Sequence, residues 1–148
     1  MNYERILNYL APCGLDCGRC ADYRNGEIKE LSLKLLSKLG NYSKVAKIKS
    51  NKLPVFENYF HFETILTSFS KASCSGCRGD NVLCPLDNCA AKTCYKEKGV
   101  DFCFQCTEYP CEKQFSGRLR DRWIEINNRM KDIGVIEYYK EQSKQPRY

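Results

Sequence analysis

The sequence predicts a mainly α fold, with little or no β-sheet, gathered around a loop-rich centre held together by cysteine. Three observations predict it. Eight of the eleven cysteines fall within 38 residues, from Cys74 to Cys111. The other three, Cys13, Cys17 and Cys20, make a second knot near the N-terminus. The cysteine-free segment 21–73 and the stretch after Cys111 both carry apolar residues at helical spacing. We expect one domain over residues 1–148, with a helical segment at 27–70, the cysteine centre at 74–111 and C-terminal helices at 115–143.

Taken in order, residues 3–10 place Tyr3, Ile6, Leu7 and Leu10 on one helical face, and Pro12 ends that helix. CGLDCGRC follows, where Gly14 and Gly18 let the backbone turn tightly enough for neighbouring sulfurs to converge. Ile28, Leu31, Leu35, Leu36 and Leu39 predict a helix from Glu27 to Leu39 capped by Gly40, and a weaker helix spans 42–49. Pro54 opens the next, whose Phe56, Tyr59, Phe60, Ile65, Leu66 and Phe69 read as a core face against the cysteine centre. His61, the only histidine, sits in this run and reads as a packed or half-exposed ring rather than a ligand. Beyond the centre, residues 115–133 are amphipathic, with Leu119, Trp123, Ile126, Met130 and Ile133 inside and Glu125 spaced to pair with Arg122 and Arg129. Gly134 caps this helix, VIEYYKEQ starts a last short one, and SKQPRY reads as a frayed tail.

Residues 31–56 hold Lys34, Lys38, Lys44, Lys47, Lys49 and Lys52 and no acid. Such a run is usually a solvated helix face, and nucleic acid or another phosphate is the partner it would otherwise fit. The formal charge of +6 adds little to that reading. Loading two zinc ions on eight thiolates would remove about four of those charges. The start MNYERILNYLA lacks the apolar run and cleavage site of a signal peptide, and no stretch approaches a membrane span. A cytoplasmic location is therefore expected, where cysteines stay reduced and paired ones bind metal more often than each other.

Zinc takes a tetrahedron of soft donors, and two cysteines a few residues apart supply two corners without straining the turn. The candidate pairs are Cys74 with Cys77, Cys84 with Cys89, Cys103 with Cys106 and Cys106 with Cys111, in the manner of zinc knuckles. Pro85 and Pro110 suit the first turns of short helices, which would set nearby thiolates at helix N-termini. Two sharing schemes compete. In one, Cys74 and Cys77 join Cys103 and Cys106, leaving Cys84, Cys89 and Cys111 to meet the N-terminal triplet. In the other, Cys74, Cys77, Cys84 and Cys89 close locally, and Cys103, Cys106 and Cys111 join Cys13, Cys17 or Cys20. Cys94 fits no pair and reads as a free thiol on a short helix. An iron–sulfur or thiol redox protein is the alternative, since the Cys13-x3-Cys17-x2-Cys20 spacing also serves clusters. The chain is too short for the barrel of radical enzymes that use this spacing, and the odd cysteine count speaks against a disulfide scaffold. For hydrolysis, Asp16, Asp87 or Glu108 would have to act as base, and nothing singles them out.

CGLDCGRC, then CSGCRGD, then CPLDNCAAKTCYKEKGVDFCFQCTEYPCEK, together with IGVIEYYKEQ near the end, resembles a prokaryotic cysteine-rich family catalogued as domain of unknown function 3795. The resemblance covers nearly the whole chain. It implies ten pattern positions, Cys13, Cys17, Cys20, Cys74, Cys77, Cys84, Cys89, Cys103, Cys106 and Cys111, from which Cys94 departs. It further implies zinc binding and no established activity. All-cysteine ligands without an open-site histidine or carboxylate motif predict a zinc-binding structural or interaction module, with two zinc ions and an unknown protein partner expected.

Overall fold

The structure is a computed structural model and describes residues 1–86 and 89–148. The helices are α1 (Tyr3–Leu7), α2 (Glu27–Leu39), α3 (Tyr42–Ser50), α4 (Tyr59–Ser70), α5 (Ala91–Lys98), α6 (Gly117–Ile133) and α7 (Val135–Gln142). Tight 3-10 turns occupy Pro54–Asn58 and Cys103–Gln105. Among the described residues there is no strand, only an isolated antiparallel bridge between Leu10 and Asp16. The mainly helical class expected from the spacing is what the chain adopts.

Two compact units make up the chain. One comprises Met1–Cys20 with Cys74–Tyr148, and the other Ala21–Ser73. Every cysteine belongs to the first.

In the first unit, Ile6, Leu10, Phe102, Ile126, Met130, Val135 and Tyr138 form the core, with Tyr3, Leu15, Phe104 and Ile133 packed around it. α1 stops at Leu7, short of the expected Leu10, because Asn8 closes the turn by donating to the carbonyls of Arg5 and Ile6. Leu10 is buried all the same, where the chain folds back: Ala11 N–H donates to Leu15 O at 2.8 Å and Cys17 N–H to Tyr9 O at 2.7 Å. Gly14 is required in this turn. Its φ of +89° is left-handed, and a Cβ there would lie 2.3 Å from Ile126 Cγ2 and 2.6 Å from Met130 Cε.

Buried among these residues is a polar one, Asn127 on α6. Its Nδ2 donates to Cys13 O and Trp123 O, both at 2.9 Å, and its Oδ1 accepts from Phe104 N–H at 3.1 Å. Arg78 makes a comparable tie. Its Nε donates to Leu10 O at 3.0 Å, another guanidinium nitrogen donates to Asp101 O, and the guanidinium stacks over Tyr95 and Phe102.

Three expectations change in this unit. Arg129 pairs with Glu141 on α7, at 3.1 Å from Nε, rather than with Glu125, because α7 folds back beside α6. Pro85 and Pro110 do not start helices: Pro85 lies in a bend, and Pro110 follows a cis peptide bond in a turn. The C-terminal tail is tied down rather than frayed. Arg147 Nε donates to Asp16 O at 3.0 Å, and Tyr148 O–H to Cys20 Sγ at 3.4 Å.

In the second unit α2 packs on α4, and Lys29 Nζ donates to Ala72 O at 2.8 Å. The aromatic face of α4 is less of a core than its composition suggests. Leu66 is buried, but Phe60, Phe62 and Ile65 are exposed, Phe60 by 71 %. The stripe is broader than one neighbouring helix covers. His61 is exposed, edge-on to Phe60. All six lysines of the basic run are exposed, and Lys49 bonds Tyr42 Oη at 2.8 Å while lying over the Phe56 ring.

Asn127→Ala should destabilise the protein by about 2–5 kcal/mol, because it strands a buried carbonyl and a buried N–H. Urea denaturation measures this, with Asn128→Ala, whose exposed side chain accepts from Tyr109 O–H, expected to lose under about 1 kcal/mol.

Candidate metal centre

The first unit brings cysteines together from both ends of the sequence. The turn 9–18 presents Cys13 and Cys17, with Asn127 gripping the Cys13 carbonyl and Pro12 O accepting from Cys103 N–H at 2.9 Å. That last bond fastens the N-terminal knot directly to the Cys103 turn. Cys13, Ala11, Ala91 and Trp123 form a buried cluster against which Cys17, Cys77, Cys89, Cys103 and Cys111 pack.

Cys17 and Cys77 touch through their side chains. The Cys17 sulfur accepts from the Cys77 thiol, and this, against the opposing effect of burial and with help from the Cys77 backbone N–H, holds Cys17 down to about 7. The same bond pushes Cys77 up, with burial and the neighbouring Cys17, Cys13 and Cys84 adding to it. The two sulfurs are thus joined by one hydrogen bond. Burial likewise pushes the Cys13 thiol up, opposed by the Leu15 N–H bonded to its sulfur, with Cys89 and Cys103 nearby raising it further. Cys74 is buried, and its Sγ accepts from Gly76 N–H and Leu83 N–H, each at 3.4 Å. A backbone N–H two residues on, directed at sulfur, thus occurs at both Cys13 and Cys74. Such donors stabilise negative sulfur, as metal-bound thiolates require.

The remaining cysteines divide by place. Cys89 Sγ accepts from Gln114 Nε2 at 3.3 Å. Cys84 lies near Cys77, and its carbonyl accepts from Lys92. Cys20 meets Tyr148, at the edge of the unit. Cys103, Cys106 and Cys111 line a cavity of about 200 Å³. Burial pushes Cys103 up to about 11, opposed by the Trp123 indole N–H. Arg120 fixes the Cys111 loop by donating to Cys111 O at 2.7 Å and Gln114 O at 3.1 Å.

Cys94 does not stand apart as its spacing suggests. It lines the same cavity, and burial together with Cys111 and Cys106 pushes its thiol up. Lys98 on the same helix acts the other way, but burial outweighs it. Sequence spacing missed this, since Cys94 is brought to its neighbours by tertiary folding. It missed Asn127, Arg78 and Gln114 for the same reason. A polar residue inside the apolar stripe of α6 was the one visible signal of Asn127.

Cys13 has Cys89 and Cys103 as neighbours, and Cys77 has Cys84. Cys17 meets Cys77, whereas Cys103, Cys106 and Cys111 face Cys94. As the side chains stand, no three of histidine, cysteine, aspartate or glutamate among the described residues are placed to hold a metal ion. Of the carboxylates weighed as a base, Asp16 accepts from Arg19 Nε at 2.7 Å and Glu108 pairs with Lys98. Asp87 lies outside the described residues. Among the described residues, no helix is long and apolar enough to cross a membrane.

No curated protein and no solved structure matches this chain. A family model described as "Protein of unknown function (DUF3795)" matches residues 9–116, a span that contains all eleven cysteines. By its cysteine-bearing core and this match, the chain belongs to the DUF3795 family.

Proposed function

We propose that the chain is a zinc-stabilised structural or interaction module, working in the reducing cytoplasm, in which thiolates hold metal in place of a large hydrophobic core. The observation that carries this reading is the meeting of Cys17 with Cys77, from segments far apart in sequence, among further buried or half-buried thiols. The donor chemistry fits. Sulfur is the soft ligand zinc prefers, and backbone N–H groups already point at Cys13, Cys17 and Cys74. Cys13, Cys17, Cys77 and Cys89 or Cys84 would hold one ion, with Cys74 and Cys20 beside them. Zinc supplies the charge that lets several buried thiols ionise together, and on the order of 10 kcal/mol of folding free energy in small domains. With all-sulfur ligands it has no vacant position for hydrolysis, so the role is one of scaffold. The exposed lysines from Lys34 to Lys52 are where a partner rich in phosphate would meet the second unit.

Elemental analysis of protein purified with and without oxygen tests the reading: zinc and no colour are expected, and a brown, iron-containing protein would replace it with the cluster alternative. Chelation should lower the melting temperature by more than about 10 °C, and an unchanged curve after verified metal removal would sink the scaffold role. Metal should also be released as pH falls, because protons compete for thiolates. Replacing Cys17 with serine should cost metal and destabilise the Cys74–Cys111 region too, read as faster proteolysis there. Full metal content in that variant would separate the N-terminal knot from the centre.

A further inference from the structure

We infer that Cys94, Cys103, Cys106 and Cys111 form a second thiolate site, for a soft divalent cation such as zinc, in the cavity that all four line. The inference rests on the zinc reading above and adds a location and a ligand that the cysteine spacing excludes. Helix α5 carries Cys94, and the stretch that starts with the 3-10 turn carries Cys103, Cys106 and Cys111, so two pieces of chain deliver sulfur to one cavity of about 200 Å³. On its walls the buried Trp123 indole N–H is directed at the Cys103 thiol, and the buried Gln114 Oε1 has no hydrogen-bond partner among the described residues. Their residues are 3 % and 2 % exposed. A buried indole N–H finds no good acceptor in a neutral thiol, whereas a metal-bound thiolate is one. The Trp123 ring is locked edge-on between Tyr109 and Phe115, so its N–H is held in place.

Four thiolates on a divalent cation make a net negative centre, and the cavity walls carry Lys98 and Lys113 together with Glu97 and Glu108, Lys98 being paired with Glu108. As they stand no three of these sulfurs are placed around one point, so loading requires side-chain rotation. A cysteine turns about a single side-chain bond, and a step between staggered positions carries its sulfur on the order of 3 Å. The backbone beneath them is already fixed, by Arg120 at Cys111 and by Pro12 O at Cys103.

Zinc-loaded full-length protein, treated with N-ethylmaleimide and mapped by mass spectrometry, tests the site. Cys94 and Cys103 should react about tenfold more slowly in the loaded protein than after chelation. Cys94→Ser should lower bound zinc by about one ion per chain, and Cys94→His, which restores a zinc ligand, should recover it. With cobalt(II) as probe, Cys94→Ser should lose part of the sulfur-to-metal absorption that Cys17→Ser retains, and the reverse. Rapid labelling of Cys94 in loaded protein, or unchanged zinc in Cys94→Ser, would overturn the second site while leaving the first standing. A wild-type chain that takes up no metal would overturn both.

Discussion

The side-chain amide of Asn127 is fully buried, and it spends all of its hydrogen bonds on backbone from three segments. It holds the Cys13 turn, the Phe104 turn and its own helix in one arrangement. A buried amide is tolerated only when satisfied, so the bonds cannot be exchanged piecemeal. The consequence reaches the thiols, because Cys13 and Cys103 sit at the two places the amide grips. The apolar core of Ile6, Leu10, Phe102 and Met130 supplies bulk, but apolar contact is non-directional and would accept other registers. The amide sets which register is kept, and Gly14 permits the close approach of α6 that brings it there.

Around that frame the thiols present an electrostatic conflict. Burial opposes ionisation of Cys13, Cys94 and Cys103, and each added thiolate raises its neighbours further. Cys17 escapes only because Cys77 keeps the proton and donates it. Burial and mutual repulsion therefore work against a fully anionic cluster, and a nearby cation would relieve both. The N–H groups directed at Cys13, Cys17 and Cys74 are too few to do that unaided, and they orient the sulfurs instead.

The helices were largely legible because their apolar residues recur at the helical period and glycines close them: α2, α6 and α7 begin and end close to where Gly40 and Gly134 place the stops. Local spacing also located the cysteine knots. It could not tell which knot meets which, because that depends on contacts such as Pro12 with Cys103 that join residues far apart in sequence. Cys94 shows the limit most plainly. Its neighbours in the sequence are polar, yet the inward face of α5 sets it beside Cys106 and Cys111. The broad apolar stripe of α4 misled in the other direction, since periodicity reports that a face is apolar and not that something covers it. The tail was misread as frayed because its anchor, the Asp16 carbonyl, lies in the N-terminal turn.

The first unit leaves off at Cys20 and resumes at Cys74, so the whole cysteine-free unit hangs as a single excursion between two cysteines. The entropy of closing such a loop rises only with the logarithm of its length, by about 0.6 kcal/mol for each doubling. The cysteine unit is therefore nearly indifferent to how long the excursion is. Residues 21–73 join the cysteine unit at two points of the sequence, after Cys20 and before Cys74, and a change in their number alters this closure entropy little.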